Sequence, residues 1–241
     1  MKQRDTQPPM DADALRTAIE WAILSRRSVR AFLPTPVPRE TVERILDVAR
    51  FAATGVNIQP WRVYVATGHT KDRICAAIQR IRGDSESDEV CTDEWDYYPR
   101  EWVSPYLERK RTVGWKLYGM LGIEKGDRER MKAQHSRNYQ FFDAPVGLFF
   151  TVDRVLQQGS LLDYGMFLQN IMVAARAHGL STCPQAAFMK YHEVISDQLG
   201  LKTNEMFLVG MSLGFSDTSR IENSLVTERA EVDSFTTFYS D

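Results

Sequence analysis

An α+β fold, a sheet sandwiched by helices, is what this sequence predicts. Two amphipathic helical patterns, over 13–25 and 39–52, come before any strand. The strand-like runs that follow, 61–66, 146–152 and 206–213, are separated by long helical stretches. No G-x-G-x-x-G follows any of these runs, so nothing marks a doubly wound dinucleotide fold.

Taken in order, Leu15, Ala18, Ile19, Ala22 and Ile23 recur at helical spacing up to Ser25. Pro34, Pro36 and Pro38 form a rigid connector. The second helix is carried by Val42, Ile45, Leu46, Ala49 and Ala52. Residues 54–60 read as a loop, 61–66 as a strand ended by Gly68, and Ile74, Ala77, Ile78 and Ile81 as a further helix. After Pro145 comes a buried strand, 146–152. The helix predicted over 160–178 is apolar nearly all round, with Leu161, Leu162, Met166, Phe167, Leu168, Ile171, Met172 and Val173, so something must cover every side of it. Gly179 is placed to end it as a left-handed cap. The segment 179–188 reads as a loop, 191–199 as a helix stopping at Gly200, and 221–241 as a tail with no strong period.

A chain of 241 residues suits one large domain or two small ones. The reading here is a single domain over 11–241, a flexible tail over 1–10, and a helical insertion at about 84–137. That insertion opens with seven acids and no base over 84–98 and continues with ten Lys or Arg over 99–137. Net charge is −2 and the sequence pI is about 6.1, which argues against a dedicated nucleic-acid binder. Three cysteines without a C-x-x-C argue against a disulfide framework or zinc site, and the four histidines show no metal-ligand spacing. The polar start has no apolar leader run, and no stretch is long and apolar enough to span a bilayer, so a cytoplasmic protein is expected.

Three segments invite chemistry. Arg26, Arg27, Ser28 and Arg30 can grip a phosphate, because arginine forks match its oxygens; the same spacing also suits a basic helix end. In Thr54-Gly55-Val56-Asn57-Ile58-Gln59-Pro60-Trp61-Arg62, the amides of Asn57 and Gln59 suit the edge of a flavin or nicotinamide ring, and the segment also suits an ordinary polar loop feeding a strand. In Gly179–Phe188, Pro184, Ala186 and Ala187 make a turn that can aim backbone N–H groups at a planar ring, or a plain structural loop.

The order of these segments resembles the FMN-dependent nitroreductase family over nearly the whole chain. R-R-S-V-R comes first, then N-x-Q-P-W-R, an apolar central helix, G-L-x-x-x-P-Q-A-A, and L-G-F with a late arginine. Asn138–Val146 and Leu162–Gln169 look like the branch that reduces nitrobenzoate-type nitroaromatics. The resemblance implies a central mixed or antiparallel sheet flanked by helices in an intertwined homodimer, with FMN at the subunit interface and the helix 160–178 in the dimer core. It implies that Arg26, Arg27, Ser28, Arg30 and Arg229 hold the FMN phosphate and ribityl end. Thr54, Gly55 and Asn57 match the loop that touches the cofactor, partly from the other subunit. Pro184, Gln185, Ala186 and Ala187 match the turn along the ring. The implied activity is NAD(P)H-dependent, ping-pong reduction of nitroaromatics to nitroso and hydroxylamino products, with no catalytic side chain. Two other readings stand beside it: reductive dehalogenation of halophenols or halotyrosines, with Glu94, Tyr98 and Lys116 loosely spaced for a lid, and a non-catalytic FMN-binding protein.

Overall fold

The sheet is built from the period-two pattern of its strands. In a computed structural model of the chain, which describes residues 11–240, four strands pair in the order β1-β2-β4-β3, all antiparallel. In chain order the elements are α1 (Ala12–Ser25), α2 (Arg39–Ala49), β1 (Arg62–Thr67), α3 (Gly68–Gly83), α4 (Ser85–Glu89), α5 (Tyr106–Met120), α6 (Arg128–Ser136), β2 (Val146–Asp153), α7 (Gln158–Ala177), β3 (Ser181–Gln185), α8 (His192–Leu199) and β4 (Glu205–Gly214). The expected tail over 1–10 lies outside the described residues.

Along β2, Leu148, Phe150 and Val152 face one side, where Val42, Ile45 and Ala49 of α2 and Tyr164, Phe167 and Ile171 of α7 cover them. Phe149 faces the other side, with Ile74 and Ile78 of α3, Ile195 of α8, and the rings of Tyr139, Phe141, Phe188 and Phe207. This second core depends on two missing side chains. A Cβ at Gly147 would stand 2.6 Å from the Phe141 ring, and one at Gly210 would stand 2.5 Å from the Phe188 ring.

The helices sit where their periodicity places them, with ends shifted by a few residues; α2 stops at Ala49 because the chain turns over Phe51 and Ala52. Gly179 (φ 69°) and Gly200 (φ 64°) are left-handed, as their positions after α7 and α8 lead one to expect. One expectation fails. Residues 181–185 are not loop but the edge strand β3, paired with β4 from Ser181↔Gly214 to Gln185↔Gly210. Pro184 hides this strand from sequence reading, and an edge position is where a strand tolerates proline. The pairings of the four strands are all antiparallel, the second of the two expected arrangements; the one parallel contact among the described residues is an isolated bridge from Ser28 to Thr182. No helix among the described residues is long and apolar enough to cross a membrane.

Candidate functional site

The arginine-rich segment leaves α1 in extended conformation and lies beside β3. Ser28 bridges Thr182 in parallel, and the Val29 N–H donates to the Thr182 carbonyl at 3.1 Å. Extended backbone alternates its side chains, so Val29 enters the core while its neighbours stay outside it. Arg26, Arg27, Ser28 and Arg30, together with Leu225, Thr227 and Arg229, line one cavity of about 230 Å³. The arginine near the end of the chain thus meets the arginines near its start.

Asn223 makes this meeting possible. Its Oδ1 accepts the Arg30 N–H at 2.8 Å, and its Nδ2 donates to the carbonyls of Ala31 and Asp217, each at 2.8 Å. Arg229 is shaped locally by Thr227, whose Oγ1 accepts from its Nη1 at 2.6 Å. Among the described residues no carboxylate pairs with Arg26, Arg27, Arg30 or Arg229. Burial foremost, and then the Arg229 charge, pull the Arg26 guanidinium below its ordinary pKa. Cys183 lies beneath the same charges; burial pushes its thiol up to about 11, against the opposing pull of Arg30 and Arg26.

β3 carries the chain from this cavity to Pro184, Ala186 and Ala187, which are partly exposed. Gln185 between them points inward. Its Nε2 donates to the Asn138 carbonyl at 2.6 Å and its Oε1 lies 2.6 Å from the Ser212 hydroxyl. That side chain is committed to the fold. The Ser212 hydroxyl also lies 2.8 Å from the Phe141 carbonyl, at the start of a left-handed run of buried Phe141 and Phe142 and exposed Asp143 (φ 53°, 52° and 71°).

Thr54, Gly55 and Asn57 do not line the arginine cavity of their own chain. They stand against α7, where Asp163 Oδ2 accepts the Gly55 N–H at 3.1 Å. The loop is strained. Val56 has φ 44° and ψ 28°, and Asn57 and Gln59 also have positive φ. A β-branched residue in this region costs about 1–3 kcal/mol. The result presents Asn57 and Gln59 to the outside. Trp61, which closes the loop, stacks on Phe167 with ring centroids 4.6 Å apart.

The residues loosely spaced for a dehalogenase lid are each engaged elsewhere. Glu94 is held by Arg154 and by the Phe207 N–H, Tyr98 packs on Tyr97 and Trp102, and Lys116 pairs with Glu228. Sequence reasoning missed Asn223 and Asp163. Asn223 sits in a tail without periodicity, and Asp163 is a lone acid in an apolar run; nothing in their neighbours announces a partner 108 or 193 residues away.

With this geometry in view, the chain can be set beside known proteins. The sequence pattern of the Nitroreductase family matches residues 23–215, and the chain belongs to that family. It is 41% identical over 91% of its length to the chloronitrobenzene nitroreductase of Comamonas testosteroni, covering 96% of that protein. It is 40% identical over 90% of its length to the 4-nitrobenzoate reductase of Pseudomonas putida, covering 93% of it. Among solved structures, the FMN- and NADPH-dependent nitroreductase NfnB of Sphigopyxis sp. strain HMH superposes with a TM-score of 0.88 at 33% identity, covering 92% of this chain and 99% of that one. NfnB of Mycobacterium smegmatis in complex with NADPH gives 0.87 at 30% identity, covering 94% and 100%.

Proposed function

We propose that this protein reduces nitroaromatic compounds of the nitrobenzoate kind to nitroso and hydroxylamino products, using FMN and NAD(P)H in a ping-pong cycle. The observation that carries the reading is the cavity of four arginines and a serine without a carboxylate. Such an excess of positive charge, partly buried, fits a phosphate dianion, and each charge-assisted hydrogen bond contributes roughly 1.5–3 kcal/mol. The named activities of the relatives point the same way.

FMN, when bound, supplies the two-electron chemistry between nicotinamide and nitro group. The chain's own residues bind and orient. Arg26, Arg27, Ser28, Arg30 and Arg229 hold the phosphate and ribityl end. Pro184, Ala186 and Ala187, with the backbone of Gln185, lie along the ring. Thr54, Gly55 and Asn57 complete the site from the partner subunit of a homodimer. What supports the dimer is apolar surface: Leu24 of α1 and Leu162 of α7 are 79% and 72% exposed, and Trp21, Ile23, Val56 and Ile58 are exposed as well. Residues 84–137 are read as a helical insertion on one domain, because α4, α5 and α6 bury none of their own side chains fully. The protein is read as cytoplasmic.

The test is spectroscopic. The purified protein is expected to be yellow, to bleach on anaerobic addition of NADPH, and to recover its colour on adding 4-nitrobenzoate. Bleaching without recovery on nitroarenes would move the activity to halophenols or other acceptors. A flavin that NADPH and NADH both fail to bleach would leave a non-catalytic binding protein. A colourless protein that takes up no added FMN overturns the reading.

A further inference from the structure

No part of the reaction above uses the stretch Leu162–Gln169 of α7. Its polar members hold one loop at both ends. Asp163 is buried, and its Oδ2 accepts the Gly55 N–H at 3.1 Å. Tyr164, also buried, accepts the Arg62 N–H at 3.1 Å through its Oη, and its proton is offered to the carbonyls of Arg62 and Thr151, each 2.9 Å away. One turn further along α7, Phe167 takes the stacked Trp61 ring, and Asn170 Nδ2 reaches the Ala49 carbonyl at 3.3 Å. Asp163, Phe167 and Asn170 lie at i, i+4 and i+7, one face of a helix. That face meets the chain at Ala49, the end of α2, and at Gly55 and Trp61 near the two ends of the loop 54–61.

The loop needs such a hold. Three of its residues, Val56, Asn57 and Gln59, are left-handed without being glycine, and a segment in that state persists only where its surroundings over-determine it. Among the hydrogen bonds that α7 makes in the described residues, the one from Gly55 to Asp163 lies nearest the strained stretch, one residue before Val56.

We infer that Asp163 is a positioning residue for the flavin site: by accepting the Gly55 N–H it holds the loop 54–59 in the left-handed form that presents Asn57. The inference rests on the FMN reading above and adds the element that sets one wall of the site.

The test uses the holoenzyme and three variants. Asp163→Ala removes the acceptor, Asp163→Ser keeps polarity but falls short of Gly55, and Asp163→Asn keeps an oxygen in place. Release of FMN on dilution is followed by the rise in its fluorescence, beside KM and kcat for 4-nitrobenzoate and the thermal midpoint. Asp163→Ala is expected to release FMN roughly ten-fold faster or more and to raise KM more than it lowers kcat, while Asp163→Asn stays within about three-fold of the parent. If Asp163→Ala does not fold, Asp163→Ser is read in its place. Retention of FMN by Asp163→Ala equal to the parent's overturns the inference, as does equal damage in Asp163→Ala and Asp163→Asn, since the Gly55 acceptor would then not be what matters. Either result leaves the FMN reading standing. A parent protein that binds no FMN overturns both.

Discussion

β4 has a charged cluster at each end, and the two are built on opposite rules. At its start, Glu205 is buried and fully met. Thr151 Oγ1 donates to it at 2.5 Å, Tyr64 Oη donates to it at 2.9 Å, and the Arg62 guanidinium lies 3.2 Å away with Asp153 on its other side. At its finish, roughly 30 Å away by strand rise, Gly214 pairs with Ser181 of β3, beside the segment where Arg26, Arg27 and Arg30 gather with Arg229 and no acid. The first cluster sets its carboxylates against a guanidinium of the same chain, and so it is structure. The second leaves its charge open among the described residues, as a site for a ligand of opposite sign does. Burial and charge alike are present in both; what separates a site from a brace is whether charges of opposite sign meet within the chain.

That contrast can be broken by exchanging the behaviour of the two ends. The largest effect is expected from Arg26→Ala combined with Arg30→Ala. FMN affinity, read by fluorescence titration, should fall by more than about 100-fold, since two charge-assisted contacts are lost. The thermal midpoint of the apoprotein should hold or rise, because like charges no longer face each other. Next comes Glu205→Ala. It leaves Arg62 short of a buried partner and is expected to destabilise the fold by about 3 kcal/mol, measured by denaturant unfolding, while the folded fraction keeps its FMN affinity.

A smaller effect should appear with pH. Burial raises the Glu205 pKa, but the hydrogen bonds from Thr151 and Tyr64 and the Arg62 charge outweigh it and hold the group below the ordinary value of 4.5. Glu222, bound to Arg137 and Arg220, is held low in the same sense. A depressed folded value means that the stabilisation is present above the unfolded pKa and is lost as pH falls through the folded one. The gap in thermal midpoint between the parent and Glu205→Gln should therefore narrow as pH drops from about 6 to about 3. The smallest effect sharpens the comparison. Lys116 and Glu228 form an ion pair beside Arg229 but lie in solvent, so Lys116→Met should leave the thermal midpoint unchanged within error.

How much of this could be read without coordinates depends on whether a residue's partner is near in sequence. The periodic elements α1, α2, β1, α7 and β4 follow from their apolar spacing, because local backbone repeats write themselves into the order of side chains. The strand β3 does not. Ser-Thr-Cys-Pro-Gln offers little apolar alternation, and the partner that makes it a strand, β4, begins 20 residues later. The arginines near the start are visible as a cluster, and the family resemblance adds Arg229; Asn223, which joins the two, carries no signal of its own. Gln185 ends the strand β3, and its residue type does not reveal that its side chain turns inward to Ser212. The left-handed form of Val56 is the least legible, since its residue type argues against it and only the surroundings impose it.

The bonds of Asn223 tie the segment that leaves α1 to the stretch after β4, so the two extremities act as one mechanical piece. For anyone choosing where to cut the chain, this inverts the usual rule. A truncation before residue 223 would not trim a dispensable border around a finished domain; it would unfasten the floor under Arg30 and carry off Arg229 with it, disabling the recognition surface while every strand stayed in place.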